Sequence, residues 1–145
     1  MTKWRMAGLG LAAALVLVTG ETRAAETDAL GKWRATNGKI TVNVENCGQS
    51  RICATIVDLS KPLDSAGKPR LDRKNPNAAL RSRPLMGLRI IDGMRQVDDR
   101  KWKGDVYYYQ DGGTYSATAT VKGDALQVKG CWGPFCKKLN FRRMK

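Results

Sequence analysis

Apolar side chains in this chain recur at every second position in short runs bounded by turn residues. Beyond residue 25 they never recur with the spacing of an amphipathic helix. Ile40, Val42 and Val44 alternate with Thr41, Asn43 and Glu45, the pattern of a half-buried strand. Ile52–Leu59 follows through the turn Cys47-Gly48-Gln49-Ser50. Leu88–Ile91 ends at Asp92-Gly93, a hairpin signal. Trp102–Tyr109 is closed by Asp111-Gly112-Gly113, and Thr114–Val121 turns at Lys122-Gly123-Asp124 into Ala125–Val128. Lys32–Ala35 and Lys137–Arg143 complete a set of about eight short strands joined mostly by tight turns. Such a meander buries its edges by closing, so the expected fold is all-β: a single small antiparallel β-barrel.

One connection breaks the rhythm. Ser60–Pro84 spans 25 residues, holds four of the five prolines and shows no strand pattern. It carries Lys61, Lys68, Arg70, Arg73, Lys74, Arg81 and Arg83 against Asp64 and Asp72. Loops of this length in compact domains are uncommon and often functional, and the prolines argue for a fixed, extended path.

The first residues concern location. Lys3 and Arg5 precede the apolar run Ala7–Val18, and the polar Thr19–Arg23 leads to Ala24-Ala25. This is the order of a secretory signal peptide cleaved after Ala24. The apolar run is 12 residues, short of the roughly 20 that a spanning helix needs. No Cys stands at the cleavage point, so a lipid anchor is not indicated. Residues 1–24 are therefore expected to direct export to the periplasm, with residues 25–145 forming one β-barrel domain and no transmembrane span. Four cysteines in an exported chain read as two disulfides. Three connectivities exist. Cys47–Cys53 and Cys131–Cys136 are favoured because each pair flanks a hairpin tip. With no His in the chain, a mixed Cys/His metal site is excluded, and a four-thiolate zinc site would be unusual in an oxidising compartment. Neither a metal nor a cofactor is expected.

The net charge is +13, of which Lys3, Arg5 and Arg23 against Glu21 account for +2, leaving +11 on the domain. An excess of that size implies an anionic partner. Export argues against nucleic acid and for anionic lipid, lipopolysaccharide phosphate or a small amphiphile.

Several segments, in order, carry a resemblance. They are Gly31-Lys32-Trp33, Cys47-Gly48 with Cys53, Leu71-Asp72-Arg73-Lys74-Asn75-Pro76, Arg83-Pro84-Leu85-Met86-Gly87-Leu88, Trp102-Lys103-Gly104, and Tyr107 through Asp111-Gly112 to Thr114-Tyr115-Ser116-Ala117. Together they resemble the exported bacterial family called domain of unknown function 2147. The resemblance implies a lipocalin-like (calycin) barrel and no established activity. Tyr109 stands where that family tends to have Pro, and Cys131 with Cys136 is similar to an addition. The Gly31-x-Trp33 opening also resembles the lipocalin signature, in which the Trp packs beneath the barrel against a C-terminal Arg. Arg143 takes that part, since it shares a strand face with Leu139 and Phe141. Gly31, Trp33 and Arg143 are thus assigned a structural role.

Candidate chemistry is sparse. Without His, the Ser-His, Cys-His and His-metal machineries are absent. Asp72 and Asp111 are arithmetically a carboxylate pair, as glycoside hydrolysis requires, but both sit in turns, where such side chains cap backbone N–H groups. No catalytic residue is assigned, and the protein is expected not to be an enzyme. For ligand binding, Arg70, Arg73, Lys74 and Arg81 with Asp72 and Asn75 form the sharpest polar set, since Arg forks match oxyanions. Its plainer reading is that Asp72 and Asn75 pin the loop. Tyr107, Tyr109 and Tyr115 offer the lining of a pocket, Tyr107 and Tyr115 being assigned to it. A barrel of about eight strands, however, holds one small ligand or is filled by side chains. At the Cys131–Cys136 turn, Trp132 and Phe135 stand beside Lys137 and Lys138, an arrangement suited to a lipid interface. The leading expectation is an exported barrel binding an anionic or amphiphilic envelope component. The alternative is a protein-interaction or inhibitor module presenting its loops. Cationic lysozymes are disfavoured partners for a domain at +11.

Overall fold

A computed structural model describes residues 28–145; the signal segment 1–24 lies outside them. Eight strands follow in order: β1 (Gly31–Ala35), β2 (Ile40–Gly48), β3 (Arg51–Leu59), β4 (Arg89–Asp98), β5 (Lys101–Tyr108), β6 (Gly113–Lys122), β7 (Ala125–Trp132) and β8 (Phe135–Arg143). Each pairs antiparallel with the next, and β8 returns to β1 to close the barrel. The closing seam is short. Trp33, Arg34 and Ala35 face Arg143, Arg142 and Phe141.

In a meander, alternate connections fall at the same end. The β1–β2 turn, the long β3–β4 loop, the β5–β6 turn and the β7–β8 turn therefore share what we call the rim. The other connections and both ends of the described chain share the floor.

The interior is filled. Trp33 and Trp102 are both 0% exposed, and Ile56, Met94 and Val42 are fully buried with them. Each indole removes roughly 150–250 Å² from water, at most about 4–6 kcal/mol on area bookkeeping. Gly104 lets this happen, because a Cβ there would stand 2.9 Å from the Met94 side chain. At the floor, Trp33 Nε1 donates to the Ala29 carbonyl at 2.8 Å. The Arg143 guanidinium lies 4.2 Å from the Trp33 ring centroid and donates to the Leu30 carbonyl at 3.0 Å and to that of Asp28. A cation over an indole, tied to the chain that crosses beneath it, closes the barrel below.

Two expectations change. Asp92-Gly93 is not a hairpin turn. Gly93 has φ +81° and lies inside β4, where the pairing with β5 shifts between Ile91 and Arg95. A glycine in the left-handed region serves a bulge as well as a turn, so the dipeptide does not distinguish them. The strand read as Leu88–Ile91 runs on to Asp98, and the turn is Asp99-Arg100, with Arg100 at φ +58°. The long loop, in turn, is ordered by bridges at Leu63–Pro69 and Leu71–Pro84 and a 3-10 turn at Ala78–Leu80. Both local disulfides form, with Cα atoms 5.8 Å apart for Cys47–Cys53 and 4.0 Å for Cys131–Cys136.

Candidate functional site: a cationic cleft at the rim

The loop is held against the barrel by one carboxylate. Asp72 is 1% exposed. Its Oδ1 accepts from the Tyr107 hydroxyl at 2.6 Å, and its Oδ2 from Asn75 Nδ2 at 2.9 Å. Arg83 donates to the same Oδ2 through Nε and Nη2, both at 2.9 Å. The Arg83 guanidinium also lies 5.7 Å from the Tyr107 ring centroid. Burial, the hydrogen bond to Asp72 and the carboxylate charge push the Tyr107 hydroxyl up to about 12. The Asn75 side chain also caps Asn77 N–H. Asp72, Asn75 and Tyr107 thus satisfy one another and present no free group to a ligand. Arg81 is turned the same way, donating to the carbonyls of Asn75 and Pro76. A second clamp needs no side chain. Gly112, at φ +75°, meets the loop backbone so closely that a Cβ there would fall 1.8 Å from the Lys74 oxygen.

Tyr115 and Asp111 form a separate group at the β5–β6 turn. The Tyr115 hydroxyl donates to Asp111 Oδ2 at 2.6 Å, Gly113 N–H donates to Oδ1 at 2.8 Å, and Lys137 Nζ reaches Oδ2 at 3.4 Å. Desolvation pulls the Asp111 carboxyl upward, but these three donors hold it below the usual carboxylate range. The same hydrogen bond raises Tyr115. Asp72 and Asp111 are each consumed by their own donors, so the carboxylate-pair geometry has no support here.

What the anchored loop creates is a cleft. Two adjoining depressions of about 350 Å³ and 420 Å³ share Arg70, Leu85, Tyr109 and Gln110. Lys39 and Lys61 line the first; Arg73 and Lys74 line the second with Asp64. Of these five cations only Arg73 is ion-paired, to Asp64 at 3.4 Å. Among the described residues, Lys39, Lys61 and Lys74 have no carboxylate partner, while Arg70 donates through Nε to the Leu63 carbonyl at 3.4 Å and its charge reaches Asp64. Asp64 is itself occupied: the backbone N–H of Lys68 holds its carboxyl low, desolvation opposes it, and the Ala66 N–H with the Arg73 and Arg70 charges adds to the lowering. A smaller cavity of about 110 Å³ adjoins at the barrel mouth, lined by Tyr107, Tyr108 and Tyr109 with Ile40, Leu139 and Phe141. Tyr115, expected in such a pocket, is not among its walls. A larger depression, about 510 Å³, runs along the wall of β6–β8, with Thr120, Gln127 and Asn140 as lining and no aromatic floor beyond Phe141.

The two ends of the barrel differ in charge. Rim connections carry eight cations, Lys39 and the seven of the long loop, against Asp64, Asp72 and Asp111. Those at the floor carry Arg100 and Lys145 against Asp28, Asp99 and Asp124. Of the residues assigned to ligand binding from sequence, Arg70, Arg73 and Lys74 come together in the cleft, and Asp72, Asn75, Arg81, Tyr107 and Tyr115 do not. Lys39 and Gln110 were missed; Lys61 counted only among the loop's charges, and Tyr109 was offered as pocket lining without being assigned. The parity of a meander would have found them, since it places the β1–β2 turn, the loop and the β5–β6 turn at one end.

Comparison with known proteins fits this architecture. A solved protein of Helicobacter pylori, HP1028, described as belonging to the lipocalin family, superposes with a TM-score of 0.64, at 22% identity, covering 80% of this chain and 82% of its own. The likeness is one of fold: a lipocalin-like barrel. No curated protein matches the chain in sequence. Residues 31–143, the whole barrel from the first residue of β1 to the last of β8, match the family described as "Uncharacterized protein conserved in bacteria (DUF2147)", and the chain belongs to that family.

Proposed function

We propose that this protein is an exported, periplasmic carrier or sensor that holds the anionic head of an amphiphilic envelope component in the rim cleft. The observation that carries the reading is the set of cations Lys39, Lys61 and Lys74, which have no carboxylate partner among the described residues, with Arg70 between them, lining clefts whose shared walls include Leu85 and Tyr109. Cations without counter-charges beside an apolar and aromatic wall suit a head group with a short apolar stem. The filled barrel leaves no room for a long chain inside, so recognition is of the head and not of the tail. The prolines and the Asp72 anchor fix the loop in advance, which spares the ordering entropy that weakens binding by floppy loops. Export is supported by the charged, apolar and small-residue order of residues 1–24 and by two disulfides.

The test is native mass spectrometry of protein purified from its own cells, followed by calorimetric titration with a short-chain phosphatidic acid. A retained acidic lipid, and affinity that falls steeply with salt as exposed charges are screened, are the expected results. Replacing Lys39, Lys61, Arg70 and Lys74 by Ser removes most of that affinity at unchanged melting temperature. Equal binding by the quadruple variant, or no binding by the parent, refutes the reading.

A further inference from the structure

The β7–β8 hairpin carries a feature that neither the fold nor the cleft uses. Trp132 and Phe135 are 71% and 70% exposed, more than any other large apolar side chain described, and they face each other across the turn. Between them Gly133, at φ +55°, and Pro134 make a two-residue turn. Directly beneath, Cys131 and Cys136 are cross-strand partners joined by a disulfide. The pair of rings is therefore held out on a rigid post. Behind it, Lys129 and Lys138 are direct cross-strand partners. Like charges placed opposite each other repel, and neither has a carboxylate partner among the described residues. Lys137 lies beside them, 4.9 Å from the Tyr108 ring centroid and already paired with Asp111 at 3.4 Å.

The same end gathers the other exposed apolar groups. Of eight large apolar side chains left exposed among the described residues, Leu63, Leu80, Met86, Trp132 and Phe135 stand at the rim. Trp132 and Phe135 form a pair at the hairpin tip, and Leu63, Leu80 and Met86 stand on the long loop among the rim's eight cations. A protein partner would have to match that scattered pattern in shape. A fluid anionic surface accepts it as it is, taking aromatic anchors at head-group depth and cations at the phosphates.

We infer that the rim docks on an anionic lipid bilayer, with Trp132 and Phe135 as the inserted anchors and Lys129 and Lys138 at the phosphate level. The inference rests on different residues from the cleft and holds whether or not the cleft is occupied. Docked this way, the cleft opens toward the head groups.

The test uses the chain from Ala25 onward, which contains the whole barrel and its core. Vesicles are phosphatidylcholine alone or mixed in equal parts with phosphatidylglycerol. Because Trp33 and Trp102 are fully buried, quenching by brominated lipid reads Trp132. The expected result is binding to the mixed vesicles only, with a blue-shifted and quenched Trp132. In W132S/F135S the binding falls at least about tenfold, as loss of buried aromatic surface requires, while its melting temperature and its titration with short-chain phosphatidic acid are unchanged. K129S/K138S weakens binding to the mixed vesicles and keeps the quenching at saturating lipid, a second reading that does not depend on the aromatic variant. Equal binding by W132S/F135S, binding to neither vesicle, or a parent dimer that the variant dissolves into monomers, which makes the tip a contact between copies, would each overturn the inference.

Discussion

Asp72→Ala tests whether the long loop is built around a single buried charge. The wild-type carboxylate accepts from Tyr107, Asn75 and twice from Arg83, and its side chain is wholly buried. Hydrogen bonds to a charged group contribute about 1.5–3 kcal/mol each, and removing one partner of a buried pair costs about 3–5 kcal/mol. Two features lower that figure. The contributions overlap, and the Arg83 side chain is 37% exposed, so it regains water when its partner goes. A loss of about 2–4 kcal/mol follows, which for a domain of this size lowers Tm by roughly 8–16 °C. The loop itself supplies the second readout. Four of its seven Lys and Arg residues, Arg70, Arg73, Lys74 and Arg81, are potential tryptic sites, the other three being followed by proline, so Asp72→Ala should be nicked within residues 60–84 much faster than the parent. A double-mutant cycle with Arg83→Ala should show coupling, since the two share a bond. A loss below about 1 kcal/mol, unchanged nicking, or additivity in the cycle would refute the anchoring role.

Two further outcomes follow from the same geometry. Arg143→Ala should lower stability by about 1–3 kcal/mol, because the Trp33 face and the carbonyl groups of Leu30 and Asp28 lose their partner; Arg143→Lys should recover only part, and a thermal melt measures both. The Tyr107 hydroxyl, held up to about 12 against an ordinary 10.0, contributes stability that is fully present below pH 10 and is lost as pH rises from there toward 12. Base titration followed by circular dichroism should show that loss, and Tyr107→Phe should flatten it; a variant with the parent's alkaline profile contradicts the assignment.

Much of the barrel was legible because its signals are local. Ile40-x-Val42-x-Val44 and Thr114–Val121 announce strands by alternation, and closure follows from the number of strands and the shortness of their turns. Asp92-Gly93 misled because a left-handed glycine means the same thing locally in a bulge as in a turn, and only the partner strand decides. The cleft was half legible. Arg70, Arg73 and Lys74 stand out as charge in the sequence. Which of the loop's seven cations face the cleft, though, is fixed by contacts between residues far apart: Asp72 with Tyr107, and Lys74 with Gly112. No local pattern encodes such pairings, so Arg81 looked equivalent to Arg70 although Arg70 lines the cleft and Arg81 turns to the Asn75 and Pro76 carbonyls.

The seam that closes the barrel ends at Phe141 with Ala35, with one more bond from Thr36 N–H to the Asn140 carbonyl at 2.8 Å. Beyond it, the outer half of β8 pairs with β7 on one side and with no strand of the described residues on the other. That half is an open sheet edge in a fold usually credited with having none, and an open edge invites another copy to add a strand. Lys137 and Lys138 occupy it and make such an approach repulsive. The two lysines therefore act as gatekeepers of solubility, and a chain in which both became Val or Thr would be expected to assemble edge to edge with its barrel intact.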